Sequence, residues 1–169
     1  MEAALLPILL NPETVRVGLA GAGEGHARRA ALLAEAGIET IAVNLSAALP
    51  RLDVLFVAGL DRDAAEALAT EARAVGILVN VEDVPELCDF HVPASVRRGD
   101  LVLTASTGGH APGLARRLRE WLESQFGPEW TSRLADLGAT RAVWRASGLA
   151  PDEVSRRTRA LVTEKGWLS

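Results

Sequence analysis

The chain has a single cysteine, Cys88. It can therefore form no internal disulfide and has no second thiolate with which to build a zinc site, so a reducing, cytoplasmic setting is expected. Charge of neither sign gathers into a block: 18 basic residues stand against 22 acidic ones, for a net charge of −4. That balance argues against electrostatic capture of DNA or RNA. No stretch reaches the eighteen or so uncharged apolar residues that a membrane-spanning helix needs. The apolar start, Met1 to Leu10, lacks a basic flank and runs straight into Asn11-Pro12-Glu13. It is expected to pack on the core rather than to act as a signal peptide. The three histidines, His26, His91 and His110, are scattered, with no i,i+4 pair, so no prebuilt metal site is expected. Low-complexity tracts and internal repeats are absent.

What is present in quantity is apolar surface, 49% of 169 residues, enough for one domain with a short appendage. The first two thirds alternate β-branched runs with Ala/Leu-rich runs, the pattern of a mainly parallel sheet covered by helices. Strands are predicted at Val15–Ala20, Glu39–Asn44, Asp53–Ala58, Ile77–Val81 and Leu101–Ala105, with helices at Gly25–Ala36 and Arg62–Val75. Gly37 and Gly76 follow those helices where a left-handed cap is needed. Beyond Gly109 the texture turns helical. Pro112 opens a segment to Phe126, Gly127-Pro128 breaks it, and Glu129–Ala146 and Pro151–Lys165 carry apolar residues at three-to-four spacing. The expected architecture is an α/β Rossmann-like domain over residues 1–111 and a helical region over 112–169. All four tryptophans, Trp121, Trp130, Trp144 and Trp167, fall in the latter, as suits either a subunit surface or an intramolecular helical cap.

The run Gly21-Ala22-Gly23-Glu24-Gly25-His26 follows a predicted strand and opens a predicted helix, the context of a dinucleotide fingerprint. Glycines there let the backbone approach a pyrophosphate, and the helix N-terminus adds free N–H groups and a positive dipole. A tight turn that binds nothing is the competing reading. Gly21 and Gly23 fit the first two positions, but His26 stands where a small third residue normally lets helix and strand pack closely, unless Gly25 and Ala27 restore the spacing. Asn44, at the end of the second strand, stands where a ribose-binding acid usually lies. Asp61, ahead of the second helix, completes the candidate cofactor contacts.

A name attaches to the middle of the chain. The segments Asn80-Val81-Glu82-Asp83, Cys88-Asp89-Phe90-His91-Val92-Pro93-Ala94, Arg98-Gly99-Asp100-Leu101 and Ser106-Thr107-Gly108-Gly109-His110-Ala111-Pro112 closely resemble the precorrin-2 dehydrogenase/sirohydrochlorin ferrochelatase family, including the N-terminal part of siroheme synthase. Leu6-Pro7-Ile8 and the glycine turn followed by Arg28-Arg29 resemble its start. The resemblance implies NAD-dependent oxidation of precorrin-2 to sirohydrochlorin, with Fe²⁺ insertion as a possible second activity, and C-terminal helices that serve a homodimer. It implies Asp83 as the catalytic carboxylate, as proton acceptor or as guide for a cation. Asn80, Ser106, Thr107, Gly108, Gly109 and His110 are the expected contacts to the acidic tetrapyrrole, with charge available from Arg97, Arg98, Arg116 and Arg117. A chelatase without oxidation, and a noncatalytic tetrapyrrole-binding partner, are the alternatives.

One departure from the family pattern is large. Relatives carry a further strand and helix where this chain has only Leu45-Ser46-Ala47-Ala48-Leu49-Pro50-Arg51-Leu52. Such a link is too short for a helical crossover. Extended, it reaches roughly 26–29 Å, against a little over 20 Å needed to step across two strand spacings and return along one strand. It is thus expected to bridge directly to the far side of the first strand. The missing unit would wall the adenosine half of a cofactor; with His26 and Asn44 it makes weak NAD binding the expectation.

Overall fold

The computed structural model describes residues 5–168. The chain forms two compact units, the first ending at Val92 and the second beginning at Pro93.

The first unit is built on four parallel strands: β1 (Val17–Gly21), β2 (Thr40–Ala42), β3 (Val54–Ala58) and β4 (Leu78–Val81), in the order β2-β1-β3-β4. Helix α1 (Gly23–Glu35) follows β1 and α2 (Arg62–Ala74) follows β3. All five residues of β3 are buried, as befits a central strand covered on both faces. Side chains alternate across the sheet. Val54 and Phe56 join Val17, Leu19 and Leu33 on the α1 side. Leu55 and Val57 join Val79, Val81 and the small residues Ala65, Ala69 and Ala72 on the α2 side.

Both helices end as their glycines predict. Gly37 and Gly76 have φ of +76° and +81°. The amides of Ile38 and Ile77 reach back to the carbonyls of Leu33 and Ala72 at 3.0 Å, and those of Gly37 and Gly76 to Ala34 and Arg73. These paired bonds satisfy the last helical carbonyls. Helix α1 starts two residues ahead of the predicted Gly25, at Gly23.

The link from β2 to β3, which the structure lengthens to residues 43–53, does cross to the far side of β1, as its reach allows, and β1 pairs with both strands. What makes the crossing fit is Gly18, in the middle of β1. A Cβ at Gly18 would overlap the side chain of Leu52, with Val43 and Leu55 at 3.1 and 3.2 Å. Leu52, near the end of the link, is 6% exposed and lies in the space that the glycine leaves open. Just beyond it, Arg16 and Asp53 clamp the N-terminal ends of β1 and β3. The guanidinium makes two bonds to the carboxylate, at 2.6 and 3.0 Å, and the Arg16 amide adds a third at 2.8 Å.

The second unit departs from expectation. Leu101–Ala105 is a strand, but not of the parallel sheet: as β6 it pairs antiparallel with β5 (Ala94–Arg98), which the sequence reading left unassigned. Gly99, with φ of +58°, supplies the tight reversal before Asp100. The hairpin therefore begins the second unit well ahead of residue 112. Helices α3 (Pro112–Gln125), α4 (Trp130–Ala146) and α5 (Pro151–Glu164) follow, close to their predicted spans. Arg98 donates to the Phe126 carbonyl at 2.8 Å. Phe126, Trp130 and Trp167 form an aromatic chain with centroids 5.0 and 6.2 Å apart, and Arg133 lies over both tryptophans.

The apolar start does not pack on the core of this chain. Leu6 and Leu9 are 82% and 77% exposed in a segment without regular secondary structure; residues 1–4 lie outside the described residues. Among the described residues no helix is long and apolar enough to cross a membrane.

Two measurements probe this architecture. Gly18→Ala should destabilise the chain by about 1–3 kcal/mol through overpacking, and Leu52→Ala, costly in the wild type, should cost less in that background, so that urea unfolding gives a double-variant loss smaller than the sum; strictly additive losses would break the proposed contact. The second concerns pH. Its bonds from Arg16 hold the Asp53 carboxyl at about 2, below the roughly 3.9 of an unfolded chain. Its contribution to stability is then complete above about pH 4 and is lost as pH falls through about 2. Asp53→Asn should flatten that acid limb in urea midpoints taken from neutral pH downward.

Candidate functional site

The loops that leave β1 and β3 meet backbone to backbone. Gly21 (φ +113°) faces the Ala58 carbonyl so closely that a Cβ would overlap its oxygen, and Gly59 (φ +73°) faces the Ala22 carbonyl in the same way. No side chain fits at either position, and both conformations are ones that side chains rarely adopt. The meeting point lies between β1 and β3, where the strand order reverses and where α/β sheets bind ligands at the carboxyl ends of their strands. Ala22 caps α1 without any side-chain bond to the first-turn amides. Those N–H groups and the open φ of Gly23 leave a backbone cradle suited to an anion.

His26 does not displace the helix. It is half-exposed, while Gly25 is buried and takes the close-packed position. The fingerprint is thus repaired one residue early, and the expected penalty of the imidazole falls away. Asn44 turns on its own loop, accepting from the Ser46 amide at 2.9 Å. Asp61 is the N-cap of α2 and accepts from the Ala64 amide at 2.9 Å, a structural task that the sequence reading did not separate from cofactor contact. The third strand and its helix are absent, so the short, exposed β2 forms the sheet edge beyond β1.

At the carboxyl end of β4, Asp83 is exposed and has φ of +60°, the one positive value at a non-glycine among the described residues. Such strain concentrates at functional positions. Asn80, three residues earlier, is 6% exposed. Its amide donates to the Phe90 carbonyl at 3.0 Å and toward Cys88 Sγ at 3.5 Å, while Oδ1 is buried without a partner among the described residues. Cys88 is half-buried, and burial pushes its thiol up; Sγ lies 3.3 Å from the Val81 amide and 3.2 Å from its carbonyl.

Three further residues escaped the sequence reading. Asp89 continues the edge of β4, accepting from the Val79 amide at 2.8 Å and from Arg73 at 2.9 Å. Arg29 stacks over Phe56, 5.2 Å from the ring centroid, and burial lowers its pKa. Glu82 lies against Gly25 and pairs with Arg28 at 3.5 Å. Only the doublet Arg28-Arg29 and the variable place in Asn-Val-x-Asp could have pointed to the last two.

In the second unit, Ser106–His110 forms an open loop ahead of α3. Gly108 and Gly109 have positive φ, Ser106 Oγ accepts from the Gly108 amide at 3.2 Å, and Thr107 Oγ1 accepts from the Ala111 amide at 3.2 Å. All but Thr107 are exposed. Of the four arginines expected to supply charge, Arg98 is held by the Phe126 carbonyl, Arg116 and Arg117 both pair with Glu120 at 3.3 Å, and Arg97 is exposed.

A parallel sheet with a glycine turn at its reversal point defines a Rossmann-type dinucleotide-binding protein. Residues 39–94 match an NAD(P)-binding family model. The siroheme synthase of Azotobacter vinelandii is 38% identical over 175 residues, covering 90% of this chain and 37% of that protein. That of Methylococcus capsulatus is 35% identical over 149 residues, covering 72% of this chain and 31% of that protein. The chain thus spans about a third of the length of these relatives. A solved structure of SirC, precorrin-2 dehydrogenase, shares the fold with a TM-score of 0.72 at 19% identity, covering 98% of this chain and 93% of that one. Over most of its length the chain is thus similar to the family of precorrin-2 dehydrogenase and the N-terminal part of siroheme synthase.

Proposed function

We propose that the chain oxidises precorrin-2 to sirohydrochlorin with NAD as hydride acceptor, on the route to sirohaem. The observation that carries this reading is the placement of two features at the carboxyl end of one parallel sheet. One is the glycine cradle Gly21–Gly25, whose first-turn amides lack a side-chain cap and whose Gly23 faces open space, as a dinucleotide pyrophosphate requires. The other is an exposed carboxylate, Asp83, held in a left-handed conformation. The relatives named siroheme synthase and precorrin-2 dehydrogenase support it.

The oxidation removes a hydride and a proton from the macrocycle. NAD supplies the hydride acceptor when bound. The amides of Gly23, Glu24 and Gly25 would hold its pyrophosphate, and the Asp83 carboxylate would take the proton, which requires direct reach to the substrate. Asn80 anchors the Cys88–Phe90 segment through its amide, which makes it a positioning residue for the end of β4. Taken by itself, the Ser106–His110 loop of the second unit, with the N-terminus of α3 behind it, offers hydroxyls and amides suited to carboxylates such as those of a tetrapyrrole. Ferrous iron is a second substrate if the same carboxylate also guides a cation.

Anaerobic incubation with precorrin-2 and NAD should give the absorbance spectrum of sirohydrochlorin together with NADH, and a separate incubation with sirohydrochlorin and Fe²⁺ tests metal insertion. Asp83→Gly suits the catalytic test because glycine accepts φ near +60° without strain. It should leave the melting temperature unchanged and lower turnover by about 100-fold or more. Retention of half the activity would remove Asp83 from the mechanism; insertion of iron without any oxidation would make the chain a chelatase alone.

A homodimer through the second unit completes the reading. Val96 and Val154 are its only buried hydrophobic residues among those described, against eighteen in the first unit. On α3, Leu114, Leu118 and Trp121 share one face at 54%, 38% and 56% exposure. A unit with so small a core needs a further surface to bury, and a second copy supplies the same stripe by symmetry. Light scattering should give twice the chain mass at micromolar concentration, and Trp121→Glu with Leu118→Glu should shift it to the monomer. A monomeric wild type overturns this assignment of the tail.

A further inference from the structure

Glu82 is the last residue before Asp83 and follows the end of β4; its amide continues the sheet by bonding to the Val57 carbonyl at 2.9 Å. Its side chain leaves the sheet toward α1. A Cβ placed on Gly25 would overlap Glu82 Oε2, and Oε1 would lie only 3.3 Å away. Because Cα–Cβ bonds in a helix tilt toward its N-terminus, a group that fills this space lies over the first turn, beside the cradle itself. The carboxylate is mostly shielded, at 19% exposure, and Arg28 approaches it at 3.5 Å. Glu24, the other acid of that turn, is 91% exposed and 3.8 Å from the same arginine. With no capping side chain from Ala22, Glu82 is the shielded anion at this helix end.

We propose that Glu82 is a built-in competitor of the cofactor pyrophosphate, its carboxylate lying beside the first turn of α1 and setting the affinity for dinucleotide. The proposal rests on the reading of Gly21–Gly25 as the cofactor turn. Its physical basis is that one helix N-terminus presents few free amides and about half a positive charge. A carboxylate already beside them screens that charge and repels an arriving phosphate. Binding then requires the glutamate to swing aside or the two anions to share the turn, and either lowers affinity. Arg28, freed from Glu82, gains a new anion to pair with, which limits the loss. The site is thereby tuned to weak binding from the substrate end of the sheet, since Glu82 adjoins the proposed proton acceptor.

The test uses the full chain. Calorimetric titration with NAD, and separately with inorganic pyrophosphate, should show both binding about five- to thirty-fold more tightly to Glu82→Gln than to the wild type. Glu82→Ala should behave alike, which separates charge from the amide's own hydrogen bonds. A ligand-free arm follows the Gly25 amide by NMR as pH is varied. Part of its shift should titrate with a carboxylate in the wild type and be lost in Glu82→Gln, while any contribution of Glu24 persists in both. Unchanged or weaker binding of both ligands by well-folded variants overturns the proposal, and an unaltered Gly25 titration does so too. If none of the proteins binds NAD or pyrophosphate, the cofactor turn fails and the competitor with it, although a Gly25 titration lost in Glu82→Gln would still record the contact.

Discussion

The close approach of Leu52 to Gly18 is the constraint on which the first unit depends. A link of eleven residues, 43–53, carries the chain from the edge strand β2 over β1 and into β3, where a Rossmann domain normally inserts a strand and a helix. The link can lie down on β1 only because the strand has no side chain at its midpoint, and Leu52 then serves as a core residue in place of one. Everything at the other end of the sheet follows from the register so fixed. β1 and β3 run together from Val17–Val54 to Gly21–Ala58, which brings the two glycine turns into backbone contact. The Arg16–Asp53 clamp holds the opposite end of the same pair.

That geometry separates the two halves of the cofactor site. The pyrophosphate cradle depends on β1, β3 and the start of α1, all of which are intact. The adenosine side depends on what lies beyond β2, where the sheet stops. Of three sequence marks against tight binding, the missing βα unit is structural, Asn44 has turned to its own loop, and His26 has no cost because Gly25 packs in its stead. Weak binding at the proposed cofactor site would therefore trace to lost walls and to the Glu82 carboxylate, and not to a helix pushed off the sheet.

Much of this was readable from residues in order. The helices were legible because Gly37 and Gly76 sit where periodicity stops, and the strand order followed from the reach of Leu45–Leu52 alone. The strand Leu101–Ala105 was legible as a strand but not as to its sheet. Its partner Ala94–Arg98 ends in two arginines, which read as loose charge, although Arg98-Gly99-Asp100-Leu101 carries the signal of a tight hairpin. Contacts made by three-dimensional closure were invisible: Gly18 reads as one more glycine in a strand, and Glu82 acquires a meaning only when β4 ends beside the first turn of α1. Asp61 was found for its type and position, while the capping bond it makes shows how one carboxylate can satisfy two readings until geometry separates them.

The two units also differ in how their folds are secured. The first encloses both faces of its central strand, and the proposed proton acceptor Asp83 lies exposed at a strand end, outside the core, where a substitution removes a carboxylate without removing packing. The second is held by the hairpin, by Arg98 on the Phe126 carbonyl and by the Phe126–Trp130–Trp167 chain, with little enclosed between them. Its helices satisfy much of their own surface through ion pairs one turn apart, such as Arg119–Glu123 at 2.8 Å, and exposed pairs of this kind stabilise little. The apolar stripe on α3 is thus the largest unused reserve of stabilisation in the second unit. A partner surface over that stripe would contribute to folding and to assembly through the same contacts.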